Sequence, residues 1–182
     1  MDSTDLSKFN NTFYKPGGNM LTRFLWYFTN VIWFNSAFPV SFIKVFLLRL
    51  YGAKIGSGVV IKPRVSIKYP WKLAVGNNVW IGEQVWIDNL AQVTIGDNVC
   101  ISQGAMLLCG NHNYKKQAFD LVLGEIVLEE GVWIGAKAIV CPSVTCRSHA
   151  VLAVNSVATS NLESYKIYQG NPASPVRDRI IQ

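Results

Sequence analysis

From Ile55 onward an aliphatic residue recurs at every sixth position, and few folds tolerate that spacing. The units IGSGVV, IKPRVS and IKYPWK begin at 55, 61 and 67, and VGNNVW, IGEQVW and IDNLAQ at 75, 81 and 87. IGDNVC, ISQGAM and LLCGNH follow at 95, 101 and 107, and LEEGVW, IGAKAI and VCPSVT at 128, 134 and 140. Degenerate copies close the series at 146, 152 and 158. Thirteen of these fifteen first positions are Ile, Leu or Val, the exceptions being Cys146 and Ala158. A period of six cannot lay an apolar stripe on a helix of 3.6 residues per turn. It fits a parallel β-helix, in which the first and fifth positions point into a prism and three units complete one coil. Gly56, Gly76, Gly82, Gly96 and Gly135 fall where the backbone has to turn sharply.

The coil lengths carry a second message. Starts at 55, 75 and 95 are 20 apart, so two extra residues follow the third unit of each coil. From 95 to 128 the step is 33, and from 128 to 146 it is 18 with no insertion. All insertions therefore leave one corner of the prism, and the long one is an excursion loop over about 113–127. His112 stands at its root, in Gly110-Asn111-His112-Asn113-Tyr114. Loops on rigid scaffolds concentrate function, and imidazole is well matched to removing a proton near neutral pH. His149, in a degenerate coil, reads as structural. The unit at 146 opens Cys-Arg-Ser instead of aliphatic-glycine, which predicts an irregular coil there.

Trp80, Trp86 and Trp133 all hold the sixth position of a unit and so project outward beside a corner. Trp80 and Trp133 share a column two coils apart, about 10 Å at ordinary strand spacing. Outward tryptophans in register suit a subunit interface or the wall of a ligand groove.

Ahead of the repeat, Phe24 to Ile43 is a stretch of twenty uncharged residues between Arg23 and Lys44, long enough to span a bilayer. Thr29, Asn30, Asn35, Ser36 and Pro39 interrupt it, and Pro39 would break a helix at mid-span. Two short amphipathic helices, roughly 21–34 and 39–51, fit better. Their aromatic faces could cap the core, line a subunit contact or lie on a membrane beside flanking cations.

Composition narrows the partners. Half of the 182 residues are hydrophobic and only 15% are charged, so part of the surface is expected to be covered by a partner subunit or a membrane. The net charge of +6 is concentrated in residues 1–54, which carry +4, but no Lys/Arg run has the density that nucleic-acid binding requires. The four cysteines contain no CxxC pair and only two histidines accompany them, so packed, reduced thiols and no metal site are expected. Residues 1–19 are polar, without a secretory leader, which predicts a cytoplasmic location.

The repeats, the loop with His112 and the closing Gly170-Asn171-Pro172-Ala173 resemble the left-handed β-helix hexapeptide-repeat acyltransferases, in the branch of galactoside and maltose O-acetyltransferases. Within that branch, LLRLYGAKIG, VVIKPRVSIKYPWKL, VWIDNLAQVTIGDNVCISQGAMLLCGNHNY and GVWIGAKAIVCPSVTC are similar to the colanic-acid biosynthesis acetyltransferases. The resemblance covers about residues 20–180. It implies an all-β fold: a left-handed parallel β-helix over 55–163, an N-terminal α-helical segment over 1–54 and a short C-terminal extension over 164–182.

It further implies an acetyl-CoA-dependent O-acetyltransferase acting on a sugar or lipid-linked oligosaccharide during exopolysaccharide assembly. His112 corresponds to the general base, and Ala136 to the backbone N–H that faces the developing oxyanion. Trp133 corresponds to a tryptophan beside acceptor and thiol, and Gln84, Asn111 and Tyr114 belong with the acceptor. Ala136, Ala153, Val154 and Thr159 flank the pantetheine arm, and Arg177 is the candidate for the phosphates, with Arg179 its neighbour. Asp120 and Glu125 are the nearby candidates for a carboxylate behind His112. The resemblance also implies a homotrimer in which His112 of one chain faces a CoA groove lined partly by its neighbour, and residues 20–51 are the segment available for peripheral membrane contact. The rivals are an acetyltransferase of another small acceptor, such as an antibiotic, serine or a free sugar, and a noncatalytic β-helix scaffold. A β-helix carbonic anhydrase needs three histidines, one more than the chain has.

Overall fold

Apolar first positions at intervals of six bury themselves only if the chain coils, and it does. The computed structural model describes residues 3–182; Met1 and Asp2 of the N-terminal segment lie outside the described residues. Fourteen of the fifteen first positions are no more than 5% exposed, and Ile55, at the open end of the first coil, is half-buried. Val65, Val79, Val85, Val99, Ala105, Val132, Ala138 and Val144 at fifth positions fill the same interior. Each buried Val, Leu or Ile among them is worth about 1.5–3 kcal/mol.

The strands are short and stack in three parallel faces. The first face comprises Lys54–Ile55, Leu73–Val75, Val93–Ile95, Ile126–Leu128 and Thr145–Cys146. The second comprises Val60–Ile61, Trp80–Ile81, Cys100–Ile101, Trp133–Ile134, Val151–Leu152 and Lys166–Gly170, with Ala173–Asp178 folding back antiparallel on the last. The third comprises Ser66–Ile67, Trp86–Asp88, Met106–Leu108, Ile139–Val140 and Val157–Ala158. The register follows the sequence period, with Ile61 beside Ile81, Ile81 beside Ile101 and Ile101 beside Ile134.

The coil expected to be irregular is regular. Cys146 is fully buried, pairs with Leu128 and bridges to Leu162, because a thiol fills an aliphatic's place. At the corner that carries the insertions, the buried Asn89 accepts from Tyr69 N–H at 2.9 Å and donates to the carbonyls of Tyr69 and Lys72, so the third unit of the first coil is stitched to the next coil.

Helix α1 (Met20–Thr29) starts where the Asn19 side chain accepts the Thr22 N–H at 2.8 Å, and it runs into a π-helical turn, Asn30–Phe34. Helix α2 (Ser41–Leu50) follows Pro39. Their inner faces close the open end of the prism: Trp26, Phe34 and Leu48 are buried, and Trp26 Nε1 donates to the carbonyls of Ile67 and Lys68. Ser41 Oγ accepts the edge N–H of Ile61 at 2.8 Å, and the buried Lys44 donates to Lys62 O at 2.8 Å. Such contacts cover the edge that the first coil would otherwise expose. The outer faces are also apolar and remain exposed, with Met20, Phe24, Tyr27 and Ile32 on the first helical stretch and Phe42, Phe46 and Leu50 on α2. Among the described residues no helix is long and apolar enough to cross a membrane.

Candidate functional site

His112 ends the strand Gly110–His112, which leaves the third-face corner as one arm of an antiparallel ribbon with Leu121–Leu123. Asn111 Oδ1 accepts the His112 N–H at 2.8 Å, and Tyr114 N–H donates to His112 O. The imidazole lies flat on Phe119, with centroids 4.5 Å apart and planes 8° from parallel. Its Nδ1 is 2.8 Å from the Phe119 carbonyl. A carbonyl only accepts, so Nδ1 carries the hydrogen, and in the neutral ring Nε2 keeps its lone pair with no hydrogen-bond partner among the described residues, the tautomer a proton acceptor needs.

Phe119 presents that carbonyl from a left-handed backbone, φ 52°, which costs a bulky residue about 1–2 kcal/mol. The loop holds it there through the Lys116–Asp120 ion pair at 3.0 Å and an Asn113 N–H bond to Asp120 O at 2.8 Å. Asp120 is thereby engaged with Lys116, and Glu125 lines a separate recess with Tyr14 and Lys72. The group behind His112 is a main-chain oxygen instead of either carboxylate.

The N-terminal residues add a strap that no sequence motif marks. Asp5 N–H bonds to Gln117 O, Lys8 Nζ to Gln117 Oε1, and the Phe9 ring sits 5.7 Å from the imidazole.

A groove of about 640 Å³ runs along the second face towards the C-terminal end, lined by Trp133, Ala136, Ala153, Val154, Arg177 and Arg179 among others. It meets a second recess of about 400 Å³, lined by Lys62, Trp80 and Glu83, at the shared residues Ser102 and Gln103. Trp133 is pinned as a wall by its Nε1 bond to Ser102 Oγ at 2.9 Å. Gly135 is obligatory, because a Cβ there would lie 2.6 Å from Val154 N.

The N–H groups of Gly135 and Lys137 donate to Leu152 O and Gln103 O, whereas Ala136 N–H has no acceptor among the described residues. Gln103 and Val154 repeat this in the coils on either side, giving a row of free donors about 4.8 Å apart along the groove. Arg179 is tied to the carbonyls of Gly131 and His149. Arg177 is exposed and has no carboxylate partner among the described residues.

Five of the sequence-derived residues, Trp133, Ala136, Ala153, Val154 and Arg177, therefore meet in one groove, and Asn111 and Tyr114 flank His112. Thr159 is exposed beside the third-face strand Val157–Ala158 and does not line the groove. Gln84 holds a left-handed turn position, φ 59°, at the corner between Trp80 and Trp86. Among the described residues, no hydrogen bond or shared cavity joins His112 to the groove. His112 projects from the third-face corner, and the groove belongs to the second face.

No motif marks Ser102, Gln103 or Phe119; only the outward register of Trp133 points to what lies beside it. His149 stacks on Tyr165, centroids 4.7 Å apart, and fills the space over Gly131. All four cysteines are free, and burial pushes the thiols up, Cys109 to about 11 and Cys146 to about 12, so neither is a poised nucleophile. Among the described residues no three His, Cys, Asp or Glu side chains gather to hold a metal ion.

No family model matches the chain. An Escherichia coli K12 protein whose provisional name is colanic acid biosynthesis acetyltransferase WcaF is 37% identical over 177 residues, covering 97% of either chain. The hexapeptide-repeat acetyltransferase VCA0836 of Vibrio cholerae superposes with a TM-score of 0.79 at 23% identity, over 87% of this chain and 90% of that one. A galactoside acetyltransferase solved with coenzyme A superposes at 0.76 with 24% identity, over 87% of this chain and 80% of the other.

Proposed function

The chain belongs to the hexapeptide-repeat acetyltransferases of the colanic acid biosynthesis kind, and on that premise we propose that it O-acetylates a sugar hydroxyl during exopolysaccharide assembly, with acetyl-CoA as donor and His112 as general base. The observation that carries this reading is the His112 tautomer fixed by the Phe119 carbonyl, together with the groove of free N–H donors ending at Arg177.

Acetyl-CoA, as cosubstrate, supplies an acetyl group activated as a thioester. The groove residues suit it: Arg177 offers an unpaired guanidinium to phosphate, Trp133, Ala153 and Val154 give a narrow apolar wall, and Ala136 N–H is free to meet negative charge on the carbonyl oxygen. His112 Nε2 takes the proton of the acceptor hydroxyl as that oxygen bonds to the acetyl carbon, and returns it to the departing sulfur as the C–S bond breaks. General-base help of this kind contributes about 10²–10⁴ in rate. The recess with Lys62, Trp80 and Glu83 offers an aromatic wall and both charge signs to the acceptor.

Since His112 and the groove lie on different parts of one chain, the working site is completed between neighbouring copies, and a cyclic homotrimer accounts for this. The acceptor is a free or lipid-linked oligosaccharide in the cytoplasm, at the inner membrane face. The outward apolar stripe of residues 20–50 supports that location.

The test is release of free CoA from acetyl-CoA by wild type and by His112→Ala, with a panel of sugars and lipid-linked glycans. Acceptor-dependent release that falls at least about a hundredfold in the variant is expected. Equal release by both proteins would remove His112 from the mechanism.

A further inference from the structure

A further cavity, of about 320 Å³, lies between α1 and the third face and takes no part in the groove described above. Two of its lining groups are anomalous. Arg23 Nε and Asn30 Oδ1 are both shut off from solvent, and neither has a hydrogen-bond partner among the described residues. Seven residues apart, they share one side of the helical segment. One is a donor and the other an acceptor, and leaving such atoms unpaired is unfavourable.

Arg23 also lacks a carboxylate partner among the described residues. The cavity's own carboxylate, Asp88, is held by Lys68 at 2.8 Å. The walls are flat aromatics, notably Trp86, 43% exposed, and Tyr27, 63% exposed. Flat apolar walls with a donor, an acceptor and an unmatched cation are complementary to a sugar ring bearing an acidic group.

Trp86 stands on the third face just past the turn Gly82-Glu83-Gln84, and Trp80 stands on the second face just before it. A glycan lying across that single corner would touch both tryptophans. We propose that the cavity between α1 and the third face is a second glycan subsite, which holds an acidic, non-reacting residue of an oligosaccharide whose reacting residue sits in the Trp80 recess. The role of that reacting residue rests on the acetyltransferase reading above; the binding of the acidic residue does not.

The experiment is calorimetric titration of His112→Ala protein, without donor, with trigalacturonic acid and with neutral maltotriose. The acidic trisaccharide is expected to bind at least about tenfold more tightly, and Trp86→Ala to weaken it by about tenfold. Arg23→Gln is expected to erase the preference for the acidic sugar while leaving maltotriose unchanged. Trp86 is a partly exposed position, so its variant reads binding without a folding penalty. Equal affinity for the two sugars, or binding indifferent to both substitutions, overturns the proposal. Acidic-sugar binding here, with no CoA release by wild type in the acetyl-CoA assay above, would sink the transferase and leave the subsite standing; CoA release in that assay with no such binding would do the reverse.

Discussion

In the coils, first-position residues such as Ile81, Ile101, Leu107 and Ile134 are at most 1% exposed, whereas in the N-terminal cap Met20, Phe24, Tyr27, Phe42 and Phe46 are each more than half exposed. Both regions are rich in large apolar side chains. The coils bury their first-position side chains against the coil above and below, so the chain satisfies itself there. The two helices bury one face on the first coil and leave the other to solvent, a surface that a single copy of the chain does not cover.

The largest expected effect lies in the coils. Ile134→Ala should destabilise the fold by about 2–5 kcal/mol in a denaturant titration, because the strands on either side hold the cavity open. A loss below about 1 kcal/mol would mean that the interior is far less tightly packed than its burial implies.

Beneath the cap, Lys44 should give a stability effect with a distinctive pH dependence. Burial lowers its pKa from the ordinary 10.5 to about 8. Between those values the unfolded chain still holds the proton that the folded chain has lost, so this group makes the fold more stable as pH rises from 8 to 10.5. The stability difference between wild type and Lys44→Met should move in favour of wild type by on the order of 2 kcal/mol over that range. A flat difference would contradict the burial. Buried thiols and Tyr14 titrate with the opposite sign in both proteins and cancel from the difference.

The strap comes next. Phe9→Ala removes the ring packed on His112 and should lower kcat about tenfold with KM for acetyl-CoA unchanged, as expected for a positioning residue. A matching rise in KM with kcat intact would assign Phe9 to substrate binding instead.

The smallest stability effect is expected on the cap's outer face. Phe42→Ser with Phe46→Ser should shift stability by no more than about 0.5 kcal/mol. The same pair should abolish sedimentation with vesicles containing anionic phospholipid. Unaltered sedimentation would remove the membrane-facing role and leave the stripe to a protein partner.

The coils were legible because a β-helix writes its geometry into a strict period. The corner that carries the insertions, the outward column of Trp80 and Trp133, and the two helices before the repeat could all be placed by counting residues. The carboxylate sought behind His112 could not be found that way. Its counterpart is the Phe119 carbonyl, and main-chain oxygens leave no mark in a sequence; what aims this one is a left-handed turn at a residue type that rarely adopts it. Phe9 escaped for a different reason, since a contact across more than a hundred residues has no local pattern. The pairing of Arg23 with Asn30 is readable as a helical spacing, but their lack of partners emerges only once the third face is packed against them.

The claim on which the rest depends is that His112 and the groove belong to one site built from two copies of the chain. The direct test mixes two inactive variants, His112→Ala and Ala136→Asp, by unfolding and refolding them together, and measures acceptor-dependent CoA release. In a randomly assembled cyclic trimer about a quarter of the sites would pair an intact histidine with an intact groove, so activity should return to about that fraction of wild type. A mixture as inactive as its components would contradict a site shared between subunits.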